Sequence, residues 1–219
     1  LAELSAKRRP FAEFIKDTTG HFDINSPRAV SILWQRLFEL SGFPEPFVKD
    51  KKTFWVKWSQ TYIKQILRDD IRSVIDFKNI DAVETLFSLM PSKVGSPVSI
   101  NNLAQDLQVA FETAKNWIML FERFYLIFQI SPWTNKISRA ITKEKKAYLF
   151  NYPLINEEGA RFENMVALEL LRAVHNWNEH GYGRFSLHYI RNKEKMEADF
   201  LIADSNRPIL LLETKLSDD

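Results

Sequence analysis

Residues 197–215 read EADFLIADSNRPILLLETK. Apolar residues fill both halves, and Asp204-Ser205-Asn206-Arg207 interrupts them with turn chemistry, so the stretch predicts a β-hairpin. Side chains alternate along a strand, so Glu197 and Asp199 share one face, as do Leu211, Glu213 and Lys215. With the turn centred on Ser205-Asn206, Asp199 falls within about one residue of directly opposite Glu213, where paired Cβ atoms lie roughly 5 Å apart. Two carboxylates that close repel unless a cation or a proton lies between them. Mg²⁺ takes oxygen ligands from one or two carboxylates and keeps several waters, which makes Asp199 and Glu213 candidate metal ligands. Lys215 projects from the face of Glu213, where it would orient a metal-bound water and stabilise charge growing on a phosphate.

Moving towards the N-terminus, strand candidates Met196 to Ala203 and Phe185 to Arg191 precede the last strand, Pro208 to Lys215. Before them a helix from about Gly159 to Trp177 carries Phe162, Val166, Leu170 and Val174 as its apolar stripe. Glu163 lies beside that stripe and is a candidate third oxygen ligand. A helix followed by antiparallel strands makes this end an α/β module.

The front of the chain reads as helices. Ser26-Pro27 is a plausible cap and first-turn proline, and the following helix stops at Gly42. Gly42-Phe43-Pro44-Glu45-Pro46 predicts a rigid turn, and a helix from about Lys52 to Val74 follows. Another runs from Ile80 into Pro91. Two short helices, Ile100 to Leu107 and Phe111 to Phe124, precede strand candidates Tyr125 to Ile130 and Ala147 to Phe150. Two helices at this spacing and then a hairpin describe a winged helix-turn-helix. The connection from Ser131 to Lys146 holds Lys136, Arg139, Lys143, Lys145 and Lys146 against the single acid Glu144, which suits contact with a phosphate backbone without reading sequence and suits a solvated wing nearly as well. The second helix offers only Lys115 and Asn116, beside Glu112, for base or phosphate contacts. Protein docking is therefore favoured over sequence-specific DNA reading.

Composition narrows the function classes. At 219 residues with 45% apolar and 26% charged, the chain fits a globular protein rather than a disordered one. Thirty basic against 28 acidic residues leave a net charge of +2, too small for a global argument for nucleic acid. No P-loop and no GxGxxG occurs, and the absence of cysteine excludes disulfides, thiolate-bound zinc and thiol catalysis. His175 and His180 are five apart, the wrong spacing for a one-face helical metal pair, and His21 and His188 are isolated. Six glycines leave few sharp turns. The apolar runs are too short to cross a bilayer, and Lys7-Arg8-Arg9 leads into Pro10 without an apolar leader segment, so a cytoplasmic location is expected. Position 1 is Leu rather than Met, which suggests a piece of a longer protein.

Asp199, thirteen intervening residues and Glu213-Thr214-Lys215, after a helix with Glu163, resemble the PD-(D/E)xK nuclease-like fold. Phe162-Glu163-Asn164-Met165-Val166, Tyr189-Ile190-Arg191 and Glu197-Ala198-Asp199-Phe200 are similar to the C-terminal region, of undefined function, in a family of prokaryotic AAA-type ATPases. Gly42-Phe43-Pro44-Glu45, Tyr62 with Arg68-Asp69-Asp70-Ile71, and Ser99 with Leu103-Ala104-Gln105-Asp106-Leu107 resemble earlier landmarks of that family in the same order. The resemblance implies an α+β chain. Residues 1–45 would be the tail of an N-terminal ATPase domain that alone binds ATP. Residues 46–155 would be a helical and winged-helix module, and 156–219 a restriction-endonuclease-like α/β domain, truncated. It implies Mg²⁺ at Asp199, Glu213 and Glu163, with Lys215 positioning the nucleophilic water and Glu197 at best auxiliary, for cutting or holding nucleic acid. The sequence departs from the family at Asn151, where aspartate is usual, and at Gln108, where glycine is usual.

Blander readings stand beside these. Glu213 and Lys215 also mark where a buried strand emerges into water, and Glu197 and Asp199 also suit a solvated edge paired with Lys193 or Lys195. The alternative function is a catalytically inactive protein-interaction module attached to an ATPase, and the third is a DNA-binding regulator.

Overall fold

The computed structural model describes residues 28–73, 79–134, 144–191 and 197–216, with 28–30, 72 and 197 described by backbone alone. Among these residues it is a mixed α+β structure of seven α-helices and one six-stranded sheet. Helix α1 (Arg28–Leu40) stacks Trp34 on Phe38, ring centroids 5.2 Å apart. It ends where Ser41, not the following glycine, takes a left-handed φ of 71°.

The expected rigid turn is instead a helix, α2 (Pro44–Lys49). Its two prolines stand in the first turn, where the missing N–H groups would have no intrahelical partner anyway. Helix α3 (Lys52–Gln65) continues through a π turn (Ile66–Asp70) and a 3₁₀ turn (Ile71–Ser73), so the single long helix expected here changes winding near its end. That change keeps Ile66, Leu67 and Ile71 all buried.

Helix α4 (Ile80–Leu89) and a 3₁₀ turn (Met90–Lys93) lead to a two-residue strand that the sequence reading missed, β1 (Pro97–Val98). Then come α5 (Ile100–Asp106), α6 (Phe111–Arg123), β2 (Ile127–Pro132) and β3 (Lys145–Leu149). Helix α5 closes with Val109 N–H donating to the Ala104 carbonyl at 2.9 Å, and α6 with Leu126 N–H donating to Phe121 at 2.9 Å. Both closures need a left-handed residue just past the helix. Gln108 (φ 54°) and Tyr125 (φ 55°) supply it without glycine, so Tyr125 belongs to a turn and not to the strand expected to start there. The scarcity of glycine therefore does not restrict the turns.

Helix α7 (Glu158–Glu179) precedes β4 (Phe185–Arg191), β5 (Glu197–Asp204) and β6 (Arg207–Leu212). The β5–β6 turn places Ser205 and Asn206 at φ 48° and 70° between the paired Asp204 and Arg207, as a two-residue hairpin with strand-matched twist requires.

The sheet order is β1-β3-β2-β4-β5-β6. All neighbours are antiparallel except β2 and β4, which pair in parallel at Ser131↔His188 and Pro132↔Tyr189. Trp133 N–H extends that contact by donating to the Tyr189 carbonyl at 2.7 Å. The sheet thus runs unbroken across the boundary expected near residue 155, and one buried cluster reaches from Phe38 through Trp117 and Tyr148 to Phe200.

Strand β1 covers the β3 edge only at Lys145 and Lys146. Further along, Asn164 of α7 takes over that edge. Its amide nitrogen donates to the Leu149 carbonyl, and its carbonyl accepts from the Leu149 N–H, both at 2.7 Å.

Candidate functional site

Strand alternation puts Lys146 and Tyr148 on one face of β3. Glu163, one residue before the Asn164 anchor, meets them there. The Tyr148 hydroxyl donates to Glu163 Oε1 at 2.8 Å, and Lys146 Nζ approaches the same oxygen at 3.5 Å. This ion pair is interior: 2% of the Lys146 side chain and 17% of the Glu163 side chain are exposed. Lys146 Nζ also lies 5.4 Å from the centre of the Tyr189 ring. Gly95, with a left-handed φ of 76°, backs the other side of the carboxylate. A Cβ at that position would stand 2.8 Å from Glu163 Oε2.

Burial pushes the Glu163 carboxyl above the usual carboxylate range. Lys146 and the Tyr148 hydrogen bond pull it back, and the negative charge of Asp199 pushes it further up. Glu163 and Asp199, 36 positions apart, are therefore electrostatic neighbours across the α7–β5 contact.

Asp199 is half-buried, and its Oδ2 accepts two hydrogen bonds from Thr214, from the backbone N–H at 2.8 Å and from the hydroxyl at 2.7 Å. The β5–β6 register, Leu201↔Leu211 and Phe200↔Leu212, would put Glu213 opposite Asp199 one step on. Strand β6 ends at Leu212, however, one residue short of that step. Thr214 turns to Asp199, while Glu213 and Lys215 pair with each other at 3.5 Å, 59% and 67% exposed. The expected Asp199–Glu213–Glu163 ligand set is thus brought together only in part. Among the described residues no group of three or more His, Asp or Glu could hold a metal ion. Glu197 stands at the start of β5 opposite Arg191.

The basic residues expected at a nucleic-acid surface divide three ways. Lys136, Arg139 and Lys143 lie outside the described residues. Lys115 pairs with Glu112 at 3.2 Å next to the exposed Asn116, and Lys145 is half-buried. Lys146 turns inward to Glu163, which corrects its expected place on an outward basic surface. The reason is strand alternation: Lys146 shares the face of Tyr148, against which α7 sets Glu163. Sequence reasoning missed Tyr148, Gly95 and Thr214. The period-2 pair Lys146 and Tyr148, alternating with Ala147 and Leu149, was the available signal for the first.

No curated protein and no solved structure matches this chain. The front helices, the two short helices and strands β1 to β3 together form most of the stretch that a known family does match, whereas Glu163, Asp199 and Glu213 lie beyond it. With residues 32–157 matched, more than half of its length, the chain belongs to the family described as a domain of unknown function, DUF8612.

Proposed function

We propose that this chain is a winged-helix and PD-(D/E)xK-like module of an AAA-type ATP-binding protein, and that its acidic site takes Mg²⁺ to act on nucleic acid. The observation that carries the reading is the packing of α7, which bears Glu163, on β5, which bears Asp199, in a helix-strand-strand-strand unit, α7-β4-β5-β6. The winged-helix half is supported by helix α4, then β1, α5, α6, β2 and β3, with β3 lying between β1 and β2.

Two carboxylates from different elements meet the minimum that Mg²⁺ asks of a protein. Glu163 and Asp199 would hold the ion, and bound Mg²⁺ would supply Lewis-acid stabilisation of phosphate oxygens. Thr214 fixes the orientation of Asp199, and in this reading the exposed Lys215, paired with Glu213, would leave that partner to meet a phosphate. ATP binding belongs to a separate N-terminal domain in this reading.

Titrating Mg²⁺ or Mn²⁺ into this chain and into Asp199→Ala by calorimetry tests it. Binding that disappears in the variant is the expected result, and absence of binding to either overturns the metal site. A second reading, an inactive protein-interaction module, is favoured by one observation: the Glu213–Lys215 and Glu163–Lys146 pairs satisfy the acidic residues without a metal. It expects no loss of function from Asp199→Ala.

A further inference from the structure

The cation that neutralises Glu163 comes from the other half of the molecule. Lys146 belongs to β3, the strand that follows the basic connection and pairs with β1, whereas Glu163 and Asp199 belong to α7 and β5. Its backbone is held on both sides, so only its flexible four-carbon stem can move. Lys146 Nζ and the Tyr148 hydroxyl both address Oε1 of Glu163, and the Gly95 backbone lies beside Oε2. A divalent ion reaching Glu163 must therefore contend with the ammonium, because two cations on one carboxylate oxygen repel.

We propose that Lys146 is a tethered counter-cation that occupies the Glu163 side of the acidic site and competes with a divalent ion for it. It is a positioning residue: it acts on the site through Glu163. The ring of Tyr189, 5.4 Å from Nζ, offers the displaced ammonium a second resting place. Charge balance points the same way. Glu163 and Asp199 with Lys146 carry a net −1. A divalent ion added beside the lysine reverses the sign, whereas exchange for the lysine leaves the two carboxylates neutralised. Metal entry at α7 and β5 is thereby linked to a side chain on the strand next to the basic connection. The inference rests on the acidic site proposed above and assigns its control.

The test is Mn²⁺ calorimetry on the whole chain and on Lys146→Met, Lys146→Gln and Lys146→Arg, each checked for folding by circular dichroism. Removing the positive charge is expected to tighten Mn²⁺ binding about tenfold, the effect of roughly 1.4 kcal/mol of lost competition. Lys146→Arg, which keeps the charge, is expected to stay near wild type. Met and Gln differ in polarity, so a packing fault in one does not mimic a charge effect seen in both. Equal affinity in all four proteins overturns the competition and leaves the metal site standing, and weaker binding in Met and Gln overturns it as well. Binding by Met and Gln but not by wild type supports it in its strongest form. No binding by any of the four overturns both the competition and the metal site.

Discussion

Strand β3 has a charged polar cluster at its start and a neutral one just past its end, and the two are built differently. At the start, Lys146, Tyr148 and Glu163 share one carboxylate oxygen in the interior, with the charge of Asp199 nearby. Past the end, Asn151 is 4% exposed and stands between two side chains of α3. Its carbonyl accepts from the Trp55 indole N–H at 3.1 Å, and its amide donates to the Ser59 hydroxyl at 2.6 Å. Tyr152 adds a bond from its hydroxyl to the Leu37 carbonyl at 2.7 Å, and burial pushes that hydroxyl's pKa well up. A neutral, paired network fixes packing and has no further use for a ligand. In the charged one Lys146 and the Tyr148 hydroxyl meet a carboxylate that burial penalises, and it is there that the cation site proposed above would lie.

The largest expected effect tests the neutral cluster. Asn151→Ala leaves the Trp55 N–H buried without its acceptor and removes the amide that donates to the Ser59 hydroxyl, which costs about 3 kcal/mol. Urea unfolding reads that loss, and the Mn²⁺ affinity of the folded variant is expected to match wild type. A change in affinity would break the division between the two clusters. The network suits asparagine at this position: an aspartate would accept from Trp55 but bring a buried charge, whereas asparagine both accepts and donates while neutral.

Much of this arrangement was legible in the sequence. Helical periodicity located α1, α3, α4, α6 and α7 because each packs one apolar stripe on the common core. Asp204-Ser205-Asn206-Arg207 located the last hairpin because its turn chemistry is local. What was hidden is non-local. The β2–β4 pairing joins residues more than fifty positions apart and begins at Ser131-Pro132, where proline argues against a central strand. Glu213 was expected to face Asp199 because the register is right, but the strand stops one residue early and Thr214 takes the carboxylate. Lys146 looked like part of a solvated basic run because composition cannot show that its strand lies between β1 and β2 with α7 over one face.

Gly95 tests the charged cluster without touching its charges. Gly95→Ala forces a Cβ into a left-handed backbone and to within 2.8 Å of Glu163 Oε2. The backbone strain and the displaced carboxylate together cost about 2 kcal/mol. Unlike Asn151→Ala, this variant is expected to change Mn²⁺ affinity as well as stability, because the carboxylate itself must move. Loss of stability with unchanged affinity would show that the position of Glu163 is irrelevant to the ion.

The smallest effect concerns the helix that serves both clusters, since α7 supplies Glu163 to one and the Asn164 anchor to β3 between them. Glu157 caps that helix, its carboxylate accepting from the backbone N–H groups of Gly159, at 2.8 Å, and Ala160. These bonds, the Ala160 one foremost, hold its carboxyl below the usual carboxylate range. A depressed folded-state pKa means that the cap's contribution is present above the unfolded value of about 4.3 and is lost as pH falls through the folded value. Glu157→Ala is therefore expected to cost about 1 kcal/mol at neutral pH, with solvent exposure holding it to the lower half of the range for such caps. Thermal unfolding from pH 7 downwards should show the gap between variant and wild type closing below pH of about 4. Because the cap lies a turn or more before Glu163 and Asn164, neither cluster should respond. If Mn²⁺ affinity fell with this variant while the cost stayed near 1 kcal/mol, the order of the whole helix, and not the local seat of Glu163, would set the strength of the acidic site.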